Sequence, residues 1–192
     1  MTRRVSVFLA GLLAVGIVTS VSGQSGTLNR DRNPHALGFQ GGEISGTGLS
    51  YQRWRGEWGY QIAAGALYNA PSADAFLFDN VLDYSLGFQL QRSVFASDFN
   101  ERVAGQLYWT VGVNHSGSIP REYDEDSGIH TTGDYIPVFG IGAGLGIELV
   151  FYEHISIPIE LLYGMFWRGV DGDLADQLQV TLVPQIAFRY RY

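Results

Sequence analysis

Six stretches of this chain alternate large apolar side chains with small or polar ones at a spacing of two. Trp58, Tyr60, Ile62, Ala64, Ala66 and Tyr68 alternate with Gly59, Gln61, Ala63, Gly65, Leu67 and Asn69. Phe139, Ile141, Ala143, Leu145, Ile147 and Leu149 alternate with Gly140, Gly142, Gly144, Gly146 and Glu148. The same pattern runs through 82–95, 102–114, 154–167 and 179–192. Successive strand residues point to opposite faces, whereas a helix would scatter this pattern around its axis. Each stretch is therefore a strand with one apolar face and one small or polar face.

Two shorter candidates precede them, giving eight expected strands at 36–42, 46–54, 57–69, 82–95, 102–114, 135–151, 154–167 and 179–192. Glu43–Gly46 is the expected turn between the first two. Connections alternate in length. Arg55-Gly56, Ala96–Glu101 and Tyr152-Glu153 are short, and Asn69–Val81, His115–Asp134 and Arg168–Leu178 are long. Short turns at one end and long loops at the other fit an antiparallel up-and-down barrel.

The first residues read differently. Arg3 and Arg4 precede an apolar run, Val5–Val21, and Val21-Ser22-Gly23-Gln24 follows with the small residues a signal peptidase cuts after. The expectation is a cleaved secretory signal over 1–23 and one domain over 24–192. The chain has no Cys, which excludes a disulfide scaffold, a thiolate zinc site and a cysteine-linked lipid anchor. All 12 basic residues are Arg, and the formal charge of −7 argues against nucleic acid as a partner.

Eight alternating strands fit two opposite barrels. A secreted lipocalin-like barrel turns its apolar face inward, and a membrane barrel turns it to lipid. The second face is rich in Gly, Gln and Ser, and a row of glycines suits a narrow interior better than a wet surface. Trp58, Tyr68, Trp109, Trp167, Tyr190 and Tyr192 lie near strand ends on the apolar face, as rings at a membrane interface do. The membrane barrel is the preferred expectation.

The chain stops inside its last strand, at Ile186-Ala187-Phe188-Arg189-Tyr190-Arg191-Tyr192. Alternation ending on an aromatic residue resembles the assembly signal of bacterial outer-membrane barrels, where the last residue is most often Phe. That carries Phe188, Tyr190 and Tyr192 as the signal. The segments Ala36–Gly42, Thr47–Trp54, Pro137–Glu148 and Ile155–Phe166 also resemble small eight-stranded proteins of the OmpA/OmpX-like outer-membrane superfamily. The resemblance implies a monomer reached through the Sec pathway, with outer-membrane lipid and the barrel-assembly machinery as partners. It also implies short turns in the periplasm and long loops outside.

On that placement the loops are acidic. Glu122, Asp124, Glu125, Asp126, Asp171 and Asp173 are the candidates for contact with a divalent cation or an external partner. Asp124–Gly128 sets its Gly one place too early for an EF-hand. On the small-residue face Glu148 and Glu160 are expected to pair with Arg102, Arg189 and Arg191, because a buried charge without a partner is costly. That cluster is a candidate plug or gate.

Three motifs fail on spacing. Gly140–Gly146 matches neither the G-x-G-x-x-G nor the P-loop pattern, and no Lys is present to reach a phosphate. His154-Ile155-Ser156 resembles the His-x-Ser pair of lipid A deacylases, but Ile157 stands where those have Asn, and the pair falls at a periplasmic turn. His115 and His130 share a loop without metal-ligand spacing. No cofactor is expected. The expected role is envelope structure or surface interaction without catalysis. The alternatives are a narrow channel for small or apolar solutes, a lipid A-modifying enzyme and a soluble lipid binder.

Overall fold

A computed structural model of the chain describes residues 32–69, 80–124, 129–169 and 178–192. The expected signal segment, 1–23, lies outside them. The strands are β1 His35–Gly41, β2 Gly48–Arg55, β3 Trp58–Tyr68, β4 Asn80–Asn100, β5 Val103–Asp124, β6 Ile129–Thr132, β7 Ile136–Phe151, β8 Ile155–Arg168 and β9 Leu178–Arg191. Every pairing is antiparallel. Eight strands close a ring in the order β1, β2, β3, β4, β5, β7, β8, β9, and β6 hangs outside it on β5.

Closure is made by the two ends of the described chain. β1 pairs with β9 from Ala36↔Arg191 to Gly41↔Ile186. His35 and Tyr192 extend that ladder by exchanging backbone hydrogen bonds, N–H to O, of 3.2 and 2.8 Å. From His35 the register passes through Arg53, Tyr60, Leu90, Val111, Ala143, Tyr163 and Leu182. It returns to the first strand about ten residues further along, the stagger that ties strand tilt to barrel width.

The faces are inverted relative to a water-soluble barrel. On β7, Phe139, Ile141, Leu145 and Ile147 are exposed, while Gly140, Gly142, Gly146 and Glu148 are buried. Phe39 and Tyr163 are each 67% exposed, and Gln52, Gln61, Gln89 and Gln91 are fully buried. A continuous apolar outer belt of this kind is not tolerated in water but suits hydrocarbon. Ring closure pairs the backbone groups that an open sheet would leave bare in lipid. The chain is a transmembrane β-barrel, and the lipocalin-like alternative, with its apolar face inward, is excluded.

Two stretches expected as connections are strand. β4 continues through Ala96–Asn100, still paired with β5, to a tight turn at Glu101-Arg102. There Asn100 Oδ1 accepts from the backbone N–H of Arg102 at 2.8 Å and of Val103 at 2.9 Å. At the other end β5 runs on through His115–Asp124 and pairs with β6 from Arg121↔Thr132 to Asp124↔Ile129. Apolar and polar residues do not alternate strictly along Ala96–Asn100 or His115–Asp124, so periodicity gives no sign of strand there.

Candidate functional site: the lumen and its plug

Glycines on the inward face make room for specific side chains. Trp54 lies over Gly59, where an added Cβ would meet its ring at 2.8 Å, and the Tyr108 ring covers Gly146. The two rings meet edge to face, 5.6 Å apart at 73°. They occupy the lumen toward the short-turn end.

Around them sits a buried polar network. Arg191 Nη1 is 2.9 Å from Glu148 Oε1, and both side chains are fully buried. Ser156 Oγ and Gln106 Nε2 also donate to Glu148. Among the described residues Arg189 makes no carboxylate contact. Its Nε donates to Ser50 Oγ at 3.1 Å, and its Nη2 donates to the side-chain carbonyls of Gln40 and Gln61. Nor does any described cation contact Glu160. Its carboxylate accepts from Tyr108 Oη at 2.7 Å, Gln89 and Gln91 at 3.0 Å, and Gln185 at 3.1 Å.

The expected cluster is therefore corrected in two ways. Arg102 is an exposed residue of the β4–β5 turn and stands outside the lumen. Glu160 and Arg189 are each held by amides and hydroxyls rather than by each other. The amides do connect them, because Gln61 Oε1 accepts from both Arg189 and Gln91, and Gln91 also donates to Glu160. Hydrogen bonds to an ionised group contribute about 1.5–3 kcal/mol each. Four of them are needed to offset desolvation of a carboxylate without a counter-ion.

Above this layer the β1–β2 connection dips into the barrel. Gly46 and Gly48 have φ of 87° and 130°, conformations that admit glycine and resist other residues. The dip places Ile44 and Ser45 in the lumen with no exposed surface. Ile44 packs with Leu162, Val183 and Phe166 in one apolar cluster, with Val138 against it. It lies against Gly142 and Gly112, where an added Cβ would come within 3.0 Å of it. Gln185 Oε1 accepts from the backbone N–H of Ile44 at 3.0 Å and of Ser45 at 2.7 Å.

Beyond this plug, toward the long loops, lies a cavity of about 380 Å³ whose lining includes Glu43, Thr47, Ser85, Asn114, Phe166 and Arg168. The lumen is thus layered. An ionic and amide-rich chamber lies below, an apolar seal across the middle, and an open polar vestibule above.

The remaining sequence candidates fall elsewhere. Phe188, Tyr190 and Tyr192 are exposed on the outer face of β9 and just past its end. Glu122 is exposed on the β5 extension and packs over Gly133. Asp124 is in β5. Glu125, Asp126, Asp171 and Asp173 lie outside the described residues. His154 Nδ1 is 2.9 Å from the Arg191 backbone O, and its ring stacks on Tyr190 at 5.2 Å. Ser156 turns to Glu148 instead, so the two are engaged with different partners. His115 contacts Tyr84 and Phe139. Among the described residues no three side chains are grouped to hold a metal ion.

Ile44, Gln185 and Tyr108 were not singled out by the sequence. A lone Ile in a glycine-flanked turn was the available sign of the plug, since an exposed turn gives Ile nothing to pack against.

No protein-family model matches the chain, and no curated protein sequence matches it. Solved structures resemble it at low identity. The N-terminal β-barrel domain of Pseudomonas aeruginosa OprF aligns at 12% identity with a TM-score of 0.44, over 82% of this chain and 95% of that one. Ail, the attachment invasion locus protein of Yersinia pestis, in complex with the heparin analogue sucrose octasulfate, aligns at 15% with a TM-score of 0.32, over 82% and 94%. A second Ail structure aligns at 13% with a TM-score of 0.29, over 82% and 93%.

Proposed function

We propose that this chain is a bacterial outer-membrane barrel, closed at rest, that presents its long-loop end for surface interaction and performs no catalysis. The observation that supports this reading is the Ile44 seal. A lumen blocked at mid-height by buried apolar side chains is not a standing pore, so the barrel serves as an anchor. What it carries outward is the β5–β6 extension with Glu122 and Asp124; Glu125 and Asp126 follow in sequence, and Asp171 and Asp173 belong to the stretch between β8 and β9. An excess of carboxylates in these stretches of sequence, with only Arg121 and Arg168 among them, attracts a cationic partner or a divalent cation. Phe188, Tyr190 and Tyr192 on the seam strand are the contact for the assembly machinery.

Two measurements test this. The refolded full chain in a planar bilayer gives no standing conductance, and steady open steps in the unmodified chain would overturn the closed reading. Neutral vesicles carrying the protein bind a fluorescent polylysine peptide, and added salt weakens that binding. Exchange of the six acidic residues for Asn or Gln abolishes it. Equal binding before and after the exchange would remove the acidic loops from the function.

A further inference from the structure

We propose that the chamber beneath the plug is hydrated, and that the Gly42–Thr47 segment is a door admitting small polar solutes from the vestibule. Buried polar atoms support the first half. No described protein group hydrogen-bonds Gln52 Oε1, Gln89 Oε1, Thr110 Oγ1, Arg189 Nη1 or Arg191 Nη2. Donors and acceptors occur together, which is the mixture that water satisfies. All five lie on the short-turn side of Ile44. Thr110 is one inward position below Gly112, which touches Ile44, and Gln89 is one below Gly87, which touches Ser45.

The construction of the seal supports the second half. The plug is a connection between β1 and β2, so its withdrawal breaks no strand pairing. Its buried backbone N–H groups are held by one atom, Gln185 Oε1. That amide keeps its orientation because its nitrogen donates to Glu160 Oε2 at 3.1 Å. With the amide reversed, two buried N–H groups would face an NH₂. Glu160 therefore sets Gln185, and Gln185 holds the door. The rest of the seal is the apolar fit of Ile44 against glycines, and at its exposed end one further tie, the Thr47 N–H donating to Ser85 Oγ at 3.2 Å.

The native chain has no Cys, so one introduced thiol reports on the chamber alone. Thr110→Cys in the full chain in detergent micelles is treated with 2-aminoethyl methanethiosulfonate. Ser116→Cys, at the vestibule, serves as the open reference. The chamber thiol reacts far more slowly than the reference. In that background Gln185→Leu removes the acceptor and Ile44→Gly removes the apolar fit by a separate route. Each speeds chamber labelling about tenfold or more while the reference stays unchanged, as expected for the loss of two hydrogen bonds or of one buried aliphatic group. Retained strand circular dichroism shows that a variant is folded, and one folded variant suffices. Chamber labelling as fast as the reference in the Thr110→Cys parent would mean that no door exists. An unchanged rate in the folded variants would mean that access does not run past Ile44. Neither result depends on what the acidic loops bind.

Discussion

Gln185 bridges Glu160 and the plug: its amide nitrogen donates to the Glu160 carboxylate, and its carbonyl oxygen accepts from Ile44 and Ser45. A buried carboxylate in the wall thus determines where a loop two strands further round the ring sits.

Glu160→Gln should be among the most damaging conservative changes in the lumen. The substituted amide offers one acceptor oxygen where four donors converge, and it turns an NH₂ toward the others. Urea unfolding in micelles should register a loss of about 3 kcal/mol. Tyr108→Phe, which deletes one donor, should lose about half as much.

Glu148 and Arg191 should behave as a pair. Arg191→Leu alone strands a fully buried carboxylate and should cost about 3–5 kcal/mol. The double change Arg191→Leu with Glu148→Leu should recover most of that. A double-mutant cycle on urea midpoints measures the coupling, and additive losses would mean that the contact contributes nothing.

Ile44→Ala should destabilise by about 2–4 kcal/mol, since the side chain is fully buried and the barrel wall cannot collapse into the space left. Thermal unfolding of the two proteins side by side measures it. A surface turn residue would show almost no effect.

Leu145→Arg tests the inverted faces. Leu145 is 57% exposed at mid-strand on β7. Arg facing lipid at that depth should cost about 2–4 kcal/mol of folding stability in bilayers. The same change on a barrel bathed in water would be nearly silent.

Much of the ring was legible because lipid and a narrow lumen both select by parity. Phe139 to Leu149 against Gly140 to Glu148 leaves one arrangement, and β7 and β8 lie within a residue or two of their expected limits. Legibility ended where that selection ends. His115–Asp124 reads as a loop because apolar and polar residues do not alternate strictly along it, although it is strand. In the lumen the parity of Glu148, Glu160, Arg189 and Arg191 indicates that they point inward, but not which of them touch. Glutamines intervene between Glu160 and Arg189 because both strand register and side-chain reach decide contact, and alternation encodes neither. Arg102 failed for a related reason: its parity holds only if the strand extends that far, and the chain turns there instead.

The ring is not equally tall around its circumference. β1 and β2 have 7 and 8 residues, whereas β4 and β5, beyond β3 in the ring, have 21 and 22. Once tilted, the shorter pair covers about 18 Å along the membrane normal, against a lipid-facing band of about 25 Å in outer-membrane barrels. Lipids beside β1 and β2 must shorten or splay to meet this flank, while those beside β4 and β5 need not. The strain costs only fractions of a kcal/mol per ångström, but it has a direction. The mismatch therefore falls on one side of the molecule, and the thinning it asks of the bilayer is one-sided.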